Sequence, residues 1–176
     1  RNTMLHDNRS QYGTVSKFLH WSMALLFLWQ FLKLGDRIND GEHWIGQTLV
    51  PFHGSIGLIL LVMIVLRIIW SLTQMNNRPP HEPATVWLVK LGHFGLYVMM
   101  VLMPLSAILL MVGKGYGLKF FGIQLVERGA EIPWAASLGE FHSPLAWLTL
   151  IMVLGHIGAA LFHRLVKRDD IMQRML

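Results

Sequence analysis

Four long apolar runs, near residues 15–34, 51–72, 86–112 and 141–166, alternate with shorter polar stretches. Each reaches the roughly twenty residues that a helix needs to cross a hydrocarbon layer about 30 Å thick. The pattern predicts an all-α fold, a bundle of four transmembrane helices. So little chain lies outside the runs that residues 1–176 read as a single integral-membrane domain. The first run is followed directly by Lys33, Asp36 and Arg37 and not by a small-residue cleavage pattern, so it is expected to be a retained span.

The fourth run is the most informative. Residues 141–163, FHSPLAWLTLIMVLGHIGAALFH, are almost wholly apolar apart from His142, His156 and His163, which at about 100° per residue fall close to one helical face. Imidazoles on a lipid-buried helix need partners. His142 and His156 are fourteen residues apart, which at about 1.5 Å per residue separates them by roughly 21 Å, one towards each side of the membrane. That is the spacing of two sites.

The other runs offer opposite members for each site. His20, in Phe18-Leu19-His20-Trp21, lies just inside the start of the first run, at the depth of His156. Taken alone it could be an interfacial histidine beside a belt tryptophan; the match in depth favours a ligand. The second run opens at Pro51-Phe52-His53-Gly54-Ser55-Ile56-Gly57, level with His142. Proline suits a first helical turn, and the two glycines would let a flat macrocycle or a neighbouring helix approach closely. Fourteen residues further on, Arg67 returns to the same face, where it would meet a haem propionate or snorkel to lipid phosphate. In the third run His93 is a fifth candidate, but the other four already make two pairs, so a propionate partner or a polar helix contact is preferred. Pro104 is expected to kink this run, with neighbours satisfying the freed carbonyl. His43 and His81 fall in polar connections and receive no role. The longest connection, residues 113–140, is expected over the outer mouth of the bundle.

Composition narrows the chemistry. The chain is 53% hydrophobic and 14% charged, which sets it apart from ordinary soluble domains and implies contact with membrane lipid. It holds no cysteine, which excludes disulfides, cysteine-ligated iron–sulfur clusters and thioether-attached haem. The net charge of +5 comes from dispersed residues without a basic, aromatic-interleaved surface, so nucleic acid is not expected as a partner. Of fifteen Lys and Arg, Lys33, Arg37, Lys114, Lys119 and Arg128 fall in two connections, and the rest lie on the side that holds both termini. The positive-inside rule therefore predicts cytoplasmic termini.

Two histidine pairs at two depths predict two non-covalent b-type haems: His20 with His156 on the inner haem iron, His53 with His142 on the outer. Such pairs fill both axial positions, which suits electron transfer better than oxygen activation. A proton relay would recruit Asp or Glu, and none lies deep within the spans. Two levels of two histidines also do not make one compact metal site. Most of the eleven methionines are expected to be packing.

His20-Trp21, His53-Gly54, His142 and Gly155-His156 together resemble the bacterial cytochrome b561 family, four-helix di-haem proteins of the inner membrane. The resemblance covers essentially the whole chain and implies the same ligand pairs. It further implies quinone chemistry and, by likeness to superoxide oxidases, passage of electrons from periplasmic superoxide to ubiquinone. His163 matches a family position linked to quinone contact; its other reading is an interfacial histidine beside Arg164, Lys167 and Arg168. Lys33, Arg37, Lys114, Lys119 and Arg128 would steer an anion such as superoxide, or are ordinary loop charges. The expected function is transmembrane electron transfer between ubiquinone and a periplasmic one-electron partner. The alternative is a haem b membrane anchor or relay subunit passing electrons between quinol and a separate periplasmic redox protein.

Overall fold

The computed structural model describes residues 5–8, 11–38, 52–80 and 86–176, with the side chains of residues 34–38 left aside. Four long helices follow the four apolar runs: α1 (Thr14–Ile38), α2 (His53–Gln74), α3 (Val86–Gly113) and, after a short helix α4 (Pro133–Gly139), α5 (His142–Phe162). His43, Pro51 and His81 lie outside the described residues. Among the described residues three stretches are long and apolar enough to cross a membrane: His53–Gln74, Val86–Gly113 and Pro133–Lys167, the last running from α4 through α5 and the turn that follows it. Helix α1 has the length, at 25 residues, but Lys17, His20, Gln30 and Lys33 interrupt its apolar surface.

Packing runs α1 on α2, α2 on α3, and α3 on α5. The core forms where the first three meet, around the buried Met23, Ile56, Leu60 and Ile64, with Phe27, Tyr97 and Met100 against them. The outward faces carry large apolar side chains such as Leu25, Trp87, Leu88 and Ile151. An exposed apolar surface that extends over several helices is what a lipid environment requires.

The long connection has more structure than its sequence reading gave it. Strands β1 (Leu118–Phe120) and β2 (Ile123–Val126) form an antiparallel hairpin, turned by Phe121 and Gly122 at φ 46° and 84°. The tip sits on the start of α2: the Phe121 amide donates to Ser55 Oγ at 2.9 Å, and its ring lies 5.9 Å from that of Phe52. Helix α4 lies across the end of α3 so closely that a Cβ on Gly139 would stand 2.3 Å from the Leu110 nitrogen. The connection therefore covers the His53 end of the bundle, as its position between the third and fourth runs predicts.

At the opposite end the leading segment is tied in by one carboxylate. Asp7 accepts from the Gly13 amide at 2.8 Å, from Ser16 Oγ at 2.6 Å and from Arg78 Nε at 3.3 Å. Its side chain is wholly buried, and its own amide donates to Gln74 Oε1 at 2.9 Å.

Candidate functional site

The fold places the four singled-out histidines in two facing pairs at opposite ends of α5. At one end His53, in the first turn of α2, faces His142, in the first turn of α5, with ring centroids 6.2 Å apart. At the other, His20 of α1 faces His156 of α5 at 6.1 Å. A ring centroid lies about 1.1 Å from each ring nitrogen and metal–imidazole bonds are roughly 2.0 Å. Two imidazoles on opposite sides of one metal ion then have centroids about 6 Å apart, a span that both pairs match.

His53 and His142 border a cavity of about 1180 Å³, bounded also by Gly54, Pro104, Ala146 and the hairpin residues Leu118 and Phe121. This exceeds the roughly 300–1,000 Å³ typical of small-molecule pockets. Nothing lies within 4 Å of where a Gly54 Cβ would be, so the backbone there opens directly on that space. At Gly57 a Cβ would meet Gln30 Nε2 at 3.1 Å; that glycine makes room for a side chain from α1.

The hydrogen bonds around this pair define what each ring nitrogen can do. His142 Nδ1 is 2.9 Å from the Met103 carbonyl oxygen and 3.0 Å from Ser106 Oγ. A carbonyl only accepts, and Ser106 gives its own proton to the same carbonyl at 2.9 Å. Nδ1 is therefore the donor, and Nε2 keeps a free lone pair. This is the arrangement metal-bound imidazoles adopt. Gln30 donates to the His53 carbonyl at 2.9 Å, while Gln30 Oε1 and His53 Nδ1 are both buried without a partner among the described residues. A buried acceptor and a buried ring nitrogen left over at one junction are complementary in type.

The His20–His156 pair sits in a different field. Arg67 Nη2 lies 3.2 Å from His20 Nδ1, its guanidinium stands 5.6 Å over the Tyr97 ring, and Nη1 reaches Met23 Sδ at 4.0 Å. Arg67 is thus turned into the bundle and not out to lipid phosphate. Tyr97 OH in turn is 3.0 Å from Ser71 Oγ, and Arg78 Nη2 donates to that hydroxyl at 2.5 Å. His93 also reaches this cluster, its ring 5.8 Å from that of His156. Among the described residues no group of three or more His, Cys, Asp or Glu is placed to hold a metal ion, so the donors come as pairs.

His163 follows α5 and meets Asp169, Nδ1 to Oδ2 at 2.7 Å. The hydrogen bond from His163 holds the Asp169 carboxyl below the usual carboxylate range. Of the outer cations, Lys33, Lys114 and Lys119 border the cavity beside His53 and His142, Arg128 lies beyond β2, and the Arg37 side chain is outside the described residues. Gln30, Tyr97, Asp169 and the Met103 carbonyl were not singled out from sequence. None carries a motif; each is identified by what it touches.

A family model described as prokaryotic cytochrome b561 matches residues 11–176. Among curated proteins, "Cytochrome b561 homolog 2" of Escherichia coli (strain K12) is 27% identical over 175 residues, covering 94% of this chain and 91% of its own length. "Cytochrome b561 homolog 1" of the same strain is 28% identical over 176 residues, covering 95% and 97%. "Probable superoxide oxidase CybB" of Yersinia pestis is 26% identical over 172 residues, covering 94% and 96%.

Proposed function

Because the chain belongs to the prokaryotic cytochrome b561 family, a family of bacterial membrane electron carriers with b-type haem, we propose that it carries electrons across the inner membrane through two haems. All four long helices span the bilayer as one domain, with both termini in the cytoplasm. His53 and His142 hold the outer haem, and His20 and His156 the inner. The observation that carries this reading is the pair of facing imidazole couples, 6.2 and 6.1 Å between centroids, at opposite ends of one helix. When bound, each haem would supply a one-electron couple, and a histidine pair holding it would suit electron transfer better than oxygen activation.

The protein's own groups set the rest. The Met103 carbonyl, 2.9 Å from His142 Nδ1, keeps that ring's proton away from the iron-facing nitrogen. At the inner pair the Arg67 contact has the opposite polarity, since a guanidinium only donates. For His20 to hold iron through Nε2 its proton would have to sit on Nδ1, and Arg67 would then be left to meet a haem propionate. A cation already held inside the bundle suits that anion.

One relative carries the name of a superoxide oxidase, and Lys33, Lys114 and Lys119 border the outer cavity. Lysines at a low-dielectric opening attract a small anion and raise its rate of encounter. We read the outer partner as superoxide and the inner one as ubiquinone near His163. Two superoxide anions release two O2 and two electrons, and one quinone takes up those electrons with two protons.

The first test is the ratio of haem to protein in detergent-purified material, with oxidised and reduced visible spectra. Two low-spin b haems per chain are expected; one haem, or none in a folded protein, contradicts the assignment. With two present, superoxide should drive rapid quinone reduction by the isolated chain. His163→Ala should keep both haems while that rate falls about tenfold or more, as when a general acid is lost. Quinone kinetics equal to those of the parent would leave His163 an interfacial residue.

A further inference from the structure

The chain leaves α5 by an uncommon route. His163–Lys167 form a single π turn, a geometry that is rare in helices and is found frequently at functional sites. Arg168 then takes a left-handed conformation at φ 54°, and the Asp169 amide donates to the His163 carbonyl at 3.1 Å. The backbone thereby closes a loop on His163 and returns the Asp169 side chain to the imidazole. Asp169 Oδ2 meets His163 Nδ1 at 2.7 Å, while Oδ1 is 3.3 Å from the Ile171 amide, which fixes the other end of the carboxylate. The His163 side chain is 18% exposed and that of Asp169 33% exposed, so the pair is half-shielded at the membrane edge.

The chemistry of the contact is directional. A carboxylate only accepts, so the shared proton sits on Nδ1 and leaves Nε2 as the nitrogen that exchanges protons. A left-handed conformation in an arginine is disfavoured and is maintained only where surrounding contacts hold it. The nearby charges are mostly basic: Lys167 acts on Asp169, Arg164 reaches Met172 Sδ at 3.9 Å, and the one adjacent acid, Asp170, is taken by Arg174 at 3.2 Å. Asp169 is thus the acid that answers His163 within a basic stretch. Seven residues of helix set His163 roughly 10 Å along the axis from His156, close enough for a group between them to meet both the inner pair and the cytoplasmic water.

We propose that Asp169 is a positioning residue for quinone reduction, holding His163 with its proton on Nδ1 so that Nε2 gives a proton to a quinone oxygen. The inference rests on the quinone reading above. In the step, the Nε2–H bond of a protonated His163 breaks and an O–H bond forms on the quinone as it takes up the electrons given up by superoxide. Water reprotonates Nε2 for the next turnover. Two electrons and two protons enter per quinone, the second proton reaching the far oxygen from solvent.

The experiment compares Asp169→Ala, Asp169→Asn, Asp169→Glu and His163→Ala as haem-loaded protein, with a short-chain ubiquinone as acceptor. Asp169→Ala is expected to lower kcat about tenfold, within the 10–100-fold typical of losing a group that orients a functional imidazole, with KM changed less than twofold. Asp169→Asn keeps an acceptor oxygen and should fall between, and Asp169→Glu should recover most of the rate. Nitrogen NMR of the His163 ring provides a readout apart from turnover: the Nδ1–H form dominates in the parent and is lost in Asp169→Ala. If His163→Ala is slow while Asp169→Ala turns over at the parental rate with an unchanged ring tautomer, Asp169 has no part in the reaction and the proposal is overturned. If the parent does not reduce quinone, or His163→Ala matches it, the quinone reading itself falls and takes the proposal with it. Should Asp169→Ala lose haem, Asp169→Asn carries the same comparison.

Discussion

His142→Ala or His53→Ala is expected to bring the haem content from two per chain to one, and His20→Ala or His156→Ala to remove the other. The measurement is a haem-to-protein ratio with low-temperature spectra to tell which haem is left. His93→Ala is the informative control, because the His93 ring is 5.8 Å from His156 and that of His20 is 6.1 Å away. Distance alone does not choose between them. The helices do: α3, which carries His93, packs on α5, and a flat macrocycle does not fit between two helices in contact. His20 approaches from α1, which packs on α2. His93→Ala should therefore retain both haems. A His93→Ala protein with one haem, alongside a His20→Ala protein with two, would exchange the partner of His156.

Asp7→Ala should cost about 3–5 kcal/mol of stability, the range for breaking a buried ion pair from one side. The Asp7 carboxylate has no exposed surface and satisfies the Gly13 amide, Ser16 Oγ and Arg78 Nε together. Its removal leaves two donors and a guanidinium facing an empty site. The effect reaches beyond the leading segment, since Ser16 also accepts from Trp70 Nε1 at 2.9 Å and Arg78 holds Ser71, so α1 and the end of α2 loosen together. A denaturant titration followed by haem absorbance measures it. Asp7→Asn, which keeps an acceptor, should lose less; a change below about 1 kcal/mol for alanine would mean that the segment is only draped over the bundle.

The long helices were legible because lipid demands uninterrupted apolar runs. Run 86–112 and helix Val86–Gly113 differ by a single residue at one end. The position of each histidine along its run could be counted from sequence, and the structure sets His20 facing His156 and His53 facing His142. What was not legible depends on contacts between distant, unremarkable residues. Asp7 is one acid in a short polar leader, and nothing local says that it is buried. The hairpin's signal was present, two short aromatic and β-branched runs about Phe121-Gly122, but the glycine-rich stretch before it reads equally as loop. The Asp169 contact requires an arginine in a left-handed conformation, which sequence rules disfavour. Gln30 reaches His53 past Gly57, where a Cβ would stand 3.1 Å from Gln30 Nε2.

The Met103 carbonyl has an evolutionary consequence. A side chain that orients a functional histidine can be deleted by a point substitution, whereas a backbone carbonyl cannot. Here the acceptor for His142 belongs to the main chain, immediately before Pro104, and every amino acid at position 103 would present the same oxygen. Ser106 duplicates it, so Ser106→Ala leaves one acceptor standing. The outer imidazole is therefore sheltered from sequence drift in a way that His20, whose neighbour is the arginine side chain at 67, is not. One substitution at position 67 changes what the His20 ring meets, while none at position 103 removes the oxygen that faces His142.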